Sequence, residues 1–340
     1  MIQTPASRAA FISSAISYLR SHNFDGLNLD WHLPNAFYKD HFTALVQELD
    51  QAFINEAKDT RKTQLLLSAN VPGLMSRILS YDAPGIGAHL DFFNVVTFDF
   101  HGHWDPVTGH NSPLYSSSKD TGNLLYHNVN ASISFWLSQG APAQKLLMGF
   151  PNFGRTFRLS STDNGLGAPA NGAGDAGPYT QTAGFWAYYE VCLFLSSASV
   201  VWIEEQEVPY ATYSYLWVGY DDKRSFSAKV QRMTEFNLGG AHVWTMDYDD
   251  FSGHFCSQGT YPLIRHLRMS MGLPNPPTTT PAPTTTRDPI LEFCKGRPDG
   301  LYENVADRNT YFQCFQGITY LHRCQPGLIF WDSCKCCNWP

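Results

Sequence analysis

Asp25-Gly26-Leu27-Asn28-Leu29-Asp30-Trp31-His32 is the stretch on which the fold turns. It closes a β-rich run at residues 24–31, and side chains alternate across a strand, so Asn28, Asp30 and His32 point the same way. Polar groups in a row on the inner face of an otherwise apolar strand are costly to bury without partners. In a parallel α/β barrel, such groups at the carboxyl ends of strands form the site.

Outward from this strand, helical and strand patterns alternate. Thr4 and Pro5 start a helix whose face is Phe11, Ile12, Ala15, Ile16 and Leu19. Phe42, Leu45, Val46, Leu49 and Phe53 mark a second helix. Val129, Ile133, Trp136 and Leu137 mark another, and Phe226, Val230, Met233 and Phe236 a fourth. Buried strands are expected at residues 64–71, 91–99, 145–153 and 241–247. Apolar strands alternating with helices indicate a parallel sheet covered on both faces. Asp99, ending the third strand, and Trp244, in the fifth, would converge on the mouth that holds Asp30. Residues 154–224 break the rhythm, Gly- and Ala-rich first and aromatic later, and read as an inserted α+β subdomain.

A Pro/Thr-rich segment at residues 273–289 cannot bury apolar surface and reads as an extended, O-glycosylated spacer. It separates a large domain, residues 1–272, from a small one, residues 290–340. Six of the eight cysteines lie in the small one: Cys294, Cys314, Cys324, Cys334, Cys336 and Cys337. So many in so short a stretch indicate a disulfide staple for a module too small to hold a core by burial. Zinc is disfavoured, because the two-residue spacer of zinc knuckles is absent. The remaining pair is Cys192 and Cys256.

The composition, 340 residues with 23 basic and 30 acidic side chains and a formal charge of −7, fits a globular protein. Net acidity without a dense Lys/Arg cluster argues against nucleic acid as a partner. No apolar run reaches the ~18 to 20 residues that span a bilayer, so no membrane partner is expected. Residues 1–20 do not read as a signal peptide, whereas the cysteines ask for an oxidising compartment.

Asp25, Gly26, Asp30, Trp31 and Pro34 resemble the signature strand of glycoside hydrolase family 18. The likeness extends to Phe98, Asp99, His101, Gly102 and Trp104, and to the stretches 109–115, 167–178, 186–192, 217–222 and 239–250, which are similar to mammalian acidic chitinases and chitotriosidase. The cysteine-rich tail resembles their peritrophin-type chitin-binding module. The resemblance implies an extracellular, monomeric protein whose partner is chitin or N-acetylglucosamine oligomers. It needs no cofactor and no metal. The substrate contacts it implies are Trp31, Phe98, Asp99, Trp104, Arg155, Glu190, Trp244 and, in the tail, Trp339.

Two departures from the family bear on function. The family's acid, a Glu that protonates the glycosidic oxygen, is replaced by His32, and an Asp before it by Asn28. Such chemistry needs a carboxylic acid of raised pKa supported by a neighbouring carboxylate. A protonated His near its usual pKa of about 6.5 has a different shape and reach. Phe98, Phe153 and Leu33 also stand where the family has Tyr. Second, the match begins at the helix before the family's fourth strand, so the expected fold is an incomplete TIM-type barrel of about five of eight strands, with exposed sheet edges. The expected function is therefore binding without hydrolysis. Alternatives are a weakly active chitinase and a truncated product that does not fold. A zinc or nickel site of His32, His101 and His103 with Asp30 and Asp99 is a further, less favoured reading.

Overall fold

The computed structural model describes residues 1–31, 35–273, 293–315, 317–325 and 327–339. His32, Leu33, Pro34 and residues 274–289 of the Pro/Thr-rich spacer lie outside the described residues. The chain forms two compact units, Met1–Asn275 and Pro276–Pro340.

The first unit is built on a parallel sheet of five strands, Gly26–Leu29, Leu66–Pro72, Phe92–Val96, Leu146–Pro151 and Gly240–Trp244, which pair in chain order. They are called the first to fifth strands below. Among the described residues neither the first nor the fifth strand pairs with a further strand on its outer side. The crossovers are helices, as the apolar periodicity requires. Helix Pro5–Ser21 starts where the Thr4 side chain accepts from the Ser7 amide, with Pro in the first turn. Helix Lys39–Thr60 buries Phe42, Leu45, Val46, Leu49 and Phe53, one face at three- and four-residue spacing, and ends at Arg61 in the left-handed conformation. Arg8 to Glu48 and Arg20 to Glu56 tie these two helices together.

Helices Val129–Ser138 and Lys223–Glu235 cover the later strands. Asn128 caps the first through the Ala131 amide at 2.8 Å, and Asp222 caps the second through the Ser225 amide at 2.8 Å. The core between helices and sheet holds Trp136, Phe93, Phe150 and Phe226, all fully buried. Trp136 also donates to the Pro72 carbonyl at 2.9 Å. A buried side chain of this size contributes roughly 1.5–3 kcal/mol. Helix Pro262–Ser270, with Leu263 and Leu267 buried, lies beyond the last element that the sequence pattern indicated.

Between the fourth and fifth strands sits an antiparallel sheet of Ala170–Ala173, Phe153–Leu159, Leu216–Gly219, Val208–Tyr213 and Ser199–Ile203, with Phe185–Ala187 pairing Phe153–Leu159. Helix Tyr188–Leu195 packs beside it. The sheet contains its own cluster, Phe157, Tyr210 and Trp217, with Tyr210 stacked on Trp217 at 5.0 Å. The Cys192–Cys256 disulfide holds that helix to the segment after the fifth strand.

The second unit is a three-stranded antiparallel sheet, Gly300–Glu303, Thr310–Phe315 and Ile318–Arg323, followed by the pair Ile329–Trp331 and Cys336–Asn338. Its cysteines pair as Cys294–Cys314, Cys324–Cys337 and Cys334–Cys336. Its small core is Phe312 and Phe330 with Cys294, Cys314 and Cys324.

Candidate functional site

The first three strands carry a continuous polar row on the face opposite their helices. Pairing sets Asn28 beside Ser68 and Asn70 beside Asn94. Asn28 Oδ1 accepts from Ser68 Oγ at 2.9 Å and from Asn94 Nδ2 at 3.1 Å, while its Nδ2 donates to Asn70 Oδ1 at 3.1 Å. Asn94 Nδ2 also reaches Asn70 Oδ1 at 3.0 Å, and Asn70 Nδ2 donates to Asp30 Oδ1 at 2.9 Å. Asn28 is thus used as an amide, with both its acceptor and its donor engaged. A carboxylate at position 28 would have no proton for Asn70 Oδ1. Ser68, Asn70 and Asn94 were not singled out from the sequence. Polar residues at alternate positions of apolar strands are the signal that would have found them, the same one that marks Asn28 and Asp30.

Trp31 lies across the strand from these groups. Its ring sits 5.6 Å from Tyr38 and 5.8 Å from Phe42, and its carbonyl accepts from Tyr81 at 3.1 Å. Burial raises the Tyr81 phenol above its ordinary value, with the charge of Asp30 adding to the effect. Alternation sends residue 31 opposite to residues 28 and 30, yet at the outer edge of the first strand Asn28, Asp30 and Trp31 line one cavity of about 600 Å³.

At the carboxyl end of the third strand the chain turns sharply. Asp99 has φ of 60°, and buried Asn111 holds it there by accepting from the Asp99 amide at 2.9 Å and donating to the Phe153 carbonyl at 3.2 Å. Arg155 Nε donates to Asp99 Oδ1 at 2.7 Å. The Arg155 guanidinium also lies 5.3 Å from the ring centres of Trp104, Phe153 and Phe185. Trp104 therefore presents one face to a cation while remaining 51% exposed. Phe98 forms an apolar floor, edge-on to Phe153 at 5.7 Å and 6.0 Å from His242. Burial holds His242 below the usual histidine range, and its Nε2 lies 2.8 Å from the Val95 carbonyl.

Phe98, Asp99 and Trp244 line one cleft of about 410 Å³ together with Gly73, Leu74, Arg77, Val96 and Phe100. That size is typical of a small-molecule site. Trp244 is 39% exposed at the end of the fifth strand. Arg77, in the short helix Met75–Ile78 that follows the second strand, is exposed and was not anticipated. Its sequence neighbours carry no periodic signal.

Glu190 is situated differently from a sugar contact. It is 2% exposed, and its carboxylate accepts from the Tyr179, Thr180 and Ala187 amides and the Thr180 hydroxyl at 2.8–2.9 Å. Four donors fully occupy its oxygens, so its work is to anchor the turn at residues 178–180 onto the start of its own helix. His101 and His103 also go elsewhere than a shared metal. His101 Nδ1 lies 3.0 Å from Asp105, and the His103 ring lies against Trp104 at 5.3 Å. Among the described residues no group of three or more His, Cys, Asp or Glu could hold a metal ion. In the second unit Trp339 is 71% exposed, with its carbonyl accepting from Trp331 Nε1 at 3.0 Å.

Residues 1–249 match the sequence model of the glycosyl hydrolases family 18. The chain belongs to that family. Residues 294–340 match the chitin binding Peritrophin-A domain. Among family 18 relatives, mouse chitotriosidase-1 is 44% identical over 360 aligned residues, covering 100% of this chain and 76% of that protein. Solved family 18 structures agree in fold. Human YKL-39, described as a pseudo-chitinase with retained chitooligosaccharide binding, is 44% identical with a TM-score of 0.78, over 80% of this chain and 76% of its own. An immunomodulatory active chitinase from Trichuris suis is 40% identical with a TM-score of 0.78 over the same shares. Family 18 members of both kinds, active and inactive, are therefore similar to this chain.

Proposed function

We propose that this protein binds chitin or N-acetylglucosamine oligomers outside the cell and does not hydrolyse them. The observation that carries the reading is the pair of residues at the acid positions, His32 for Glu and Asn28 for Asp, with Asn28 locked as an amide among Ser68, Asn70 and Asn94. Without a carboxylic acid at 32, the motif lacks the group that protonates the glycosidic oxygen in this family. Without a carboxylate at 28, the motif lacks the neighbouring carboxylate that supports the acid. Human YKL-39 supports the reading as a relative in which oligosaccharide binding survives without chitinase activity.

Binding is assigned to two places: the strand-end cleft, through Phe98, Asp99 and Trp244 with Arg155 bonded to Asp99 and lying over Trp104, and the tail at residues 290–340, through Trp339. The spacer at 273–289 separates them. Exposed aromatic faces stack on the apolar faces of pyranose rings, which needs no catalytic acid. Four disulfides and the match to a chitin-binding domain support an extracellular, oxidising location.

A second reading, a weakly active chitinase, is favoured by the retained Asp30 and Asp99 and by the similarity to the Trichuris suis enzyme. Release of a fluorophore from a chitobioside separates the two. The expected outcome is release no greater than from an Asp30→Ala control. Release that Asp30→Ala abolishes would establish the second reading.

A further inference from the structure

The cleft at the strand ends carries one cation that its own acids leave unmatched. Arg77 is exposed and lines the space between Gly73, Phe98, Asp99 and Trp244. The acid that shares the cleft with it, Asp99, is already joined to Arg155 at 2.7 Å, and the Arg155 guanidinium is spread over three aromatic rings. Among the described residues no carboxylate pairs with Arg77. A neutral oligomer of N-acetylglucosamine gives such a group only hydroxyl and amide oxygens. A guanidinium is a planar fork that binds carboxylate or sulfate through two parallel hydrogen bonds, and such charge-assisted bonds are the strong ones.

Apart from Arg77 and Asp99, the side chains lining the cleft are apolar or, in Trp244, aromatic, so the cleft offers little other charged selection. Trp244, 39% exposed in the same cleft, supplies a face for a sugar ring. The cleft therefore holds both a face for one ring and a cation for one negative charge.

We propose that this cleft selects an acidic glycan, an N-acetylhexosamine oligomer bearing a uronate carboxylate or a sulfate ester, and that Arg77 is the residue that reads the acid group. The inference deepens the binding function proposed above and rests on sugar binding at that cleft. It also implies that fully de-N-acetylated oligomers, whose units carry ammonium groups, are repelled.

The test is titration calorimetry on the full-length protein with four tetrasaccharides: neutral N-acetylglucosamine, the same oligomer 6-O-sulfated, N-acetylglucosamine alternating with glucuronic acid, and de-N-acetylated glucosamine. The wild type should bind at least one acidic tetrasaccharide about tenfold more tightly than the neutral one at low salt, as a charge-assisted pair allows. The glucosamine tetramer should bind most weakly. In Arg77→Ala the acidic-to-neutral ratio should collapse toward one and the salt dependence of acidic binding should flatten, whereas Arg77→Lys should keep the salt dependence and lose part of the ratio. Trp244→Ala should weaken the acidic ligand, locating it in the cleft rather than the tail. Whichever acidic arm responds identifies carboxylate or sulfate as the group read. An unchanged ratio in Arg77→Ala, or acidic ligands no tighter than the neutral one in the wild type, overturns the inference while leaving chitin binding standing. Acidic binding that depends on Arg77 in a protein that ignores the neutral oligomer would sustain the inference and remove the parent reading alone.

Discussion

At the level of single residues, the site is defined as much by what its polar groups are bonded to as by which residues are present. Asn28 is a satisfied amide, so converting it to a carboxylate alone breaks the row without creating an acid. Paired restoration is the sharper test. Asn28→Asp with His32→Glu should raise fluorophore release from a chitobioside by about 10²-fold over the wild type, the lower range for a positioned general acid. The single Asn28→Asp change should leave release flat and lower the melting temperature. Glu190 gives the opposite kind of prediction. Glu190→Gln places an amide donor against backbone donors in a buried position, and should cost about 1–3 kcal/mol of stability in a denaturant titration. If Glu190→Gln instead weakened oligosaccharide binding with stability unchanged, Glu190 would be a ligand contact after all. The sequence marked Glu190 and Trp31 as contacts through resemblance to a family motif, and such local identity says nothing about where oxygens and rings are already engaged. Asn28 and Asp30 were legible because period-two alternation is a strictly local property.

Among the elements, two features carry testable stability. Hydrogen bonds from Arg8 and Arg20 hold the Glu48 and Glu56 carboxyls below their ordinary range. Folded-state values that are lowered mean that the contribution is complete above the ordinary carboxylate value of 4.5 and is lost as pH falls through the lowered values. The thermal midpoint should therefore fall as acid is added below that value, and Arg8→Met with Arg20→Met should flatten the fall. Deeper in the fold, Lys229 Nζ donates to Asp221 Oδ1 at 2.6 Å and to Ser112 Oγ at 2.8 Å, with both charged side chains fully buried. Ser112 in turn donates to the Thr97 carbonyl at 2.6 Å, so the pair fixes the segment after the third strand to helix Lys223–Glu235. Lys229→Met strands the Asp221 charge and should cost about 3–5 kcal/mol, much of it recovered by adding Asp221→Leu. No recovery in the double variant would show that the loss is one of packing. The five strands and four helices announced themselves through apolar periodicity. Met75–Ile78, with Arg77, did not, because a single helical turn has no period to read.

For the whole molecule, the chain forms two compact units, and the parallel sheet, the antiparallel sheet and the disulfide-bonded tail each have their own means of stability. The first rests on burial of Trp136, Phe93 and their neighbours, the last on three disulfides. Tail pairing could not be read from the sequence, because it depends on which cysteines the sheet brings together. Chitin-bead retention should be lost when residues 288–340 are removed, and unchanged retention would move bead binding to the cleft. Binding without cleavage is most directly tested by proton NMR of an N-acetylglucosamine pentamer incubated with the intact protein. The pentamer signals should broaden in proportion to protein while no new reducing-end anomeric signals arise over days. New anomeric signals that grow with time and vanish with Asp30→Ala would show that the site hydrolyses its ligand.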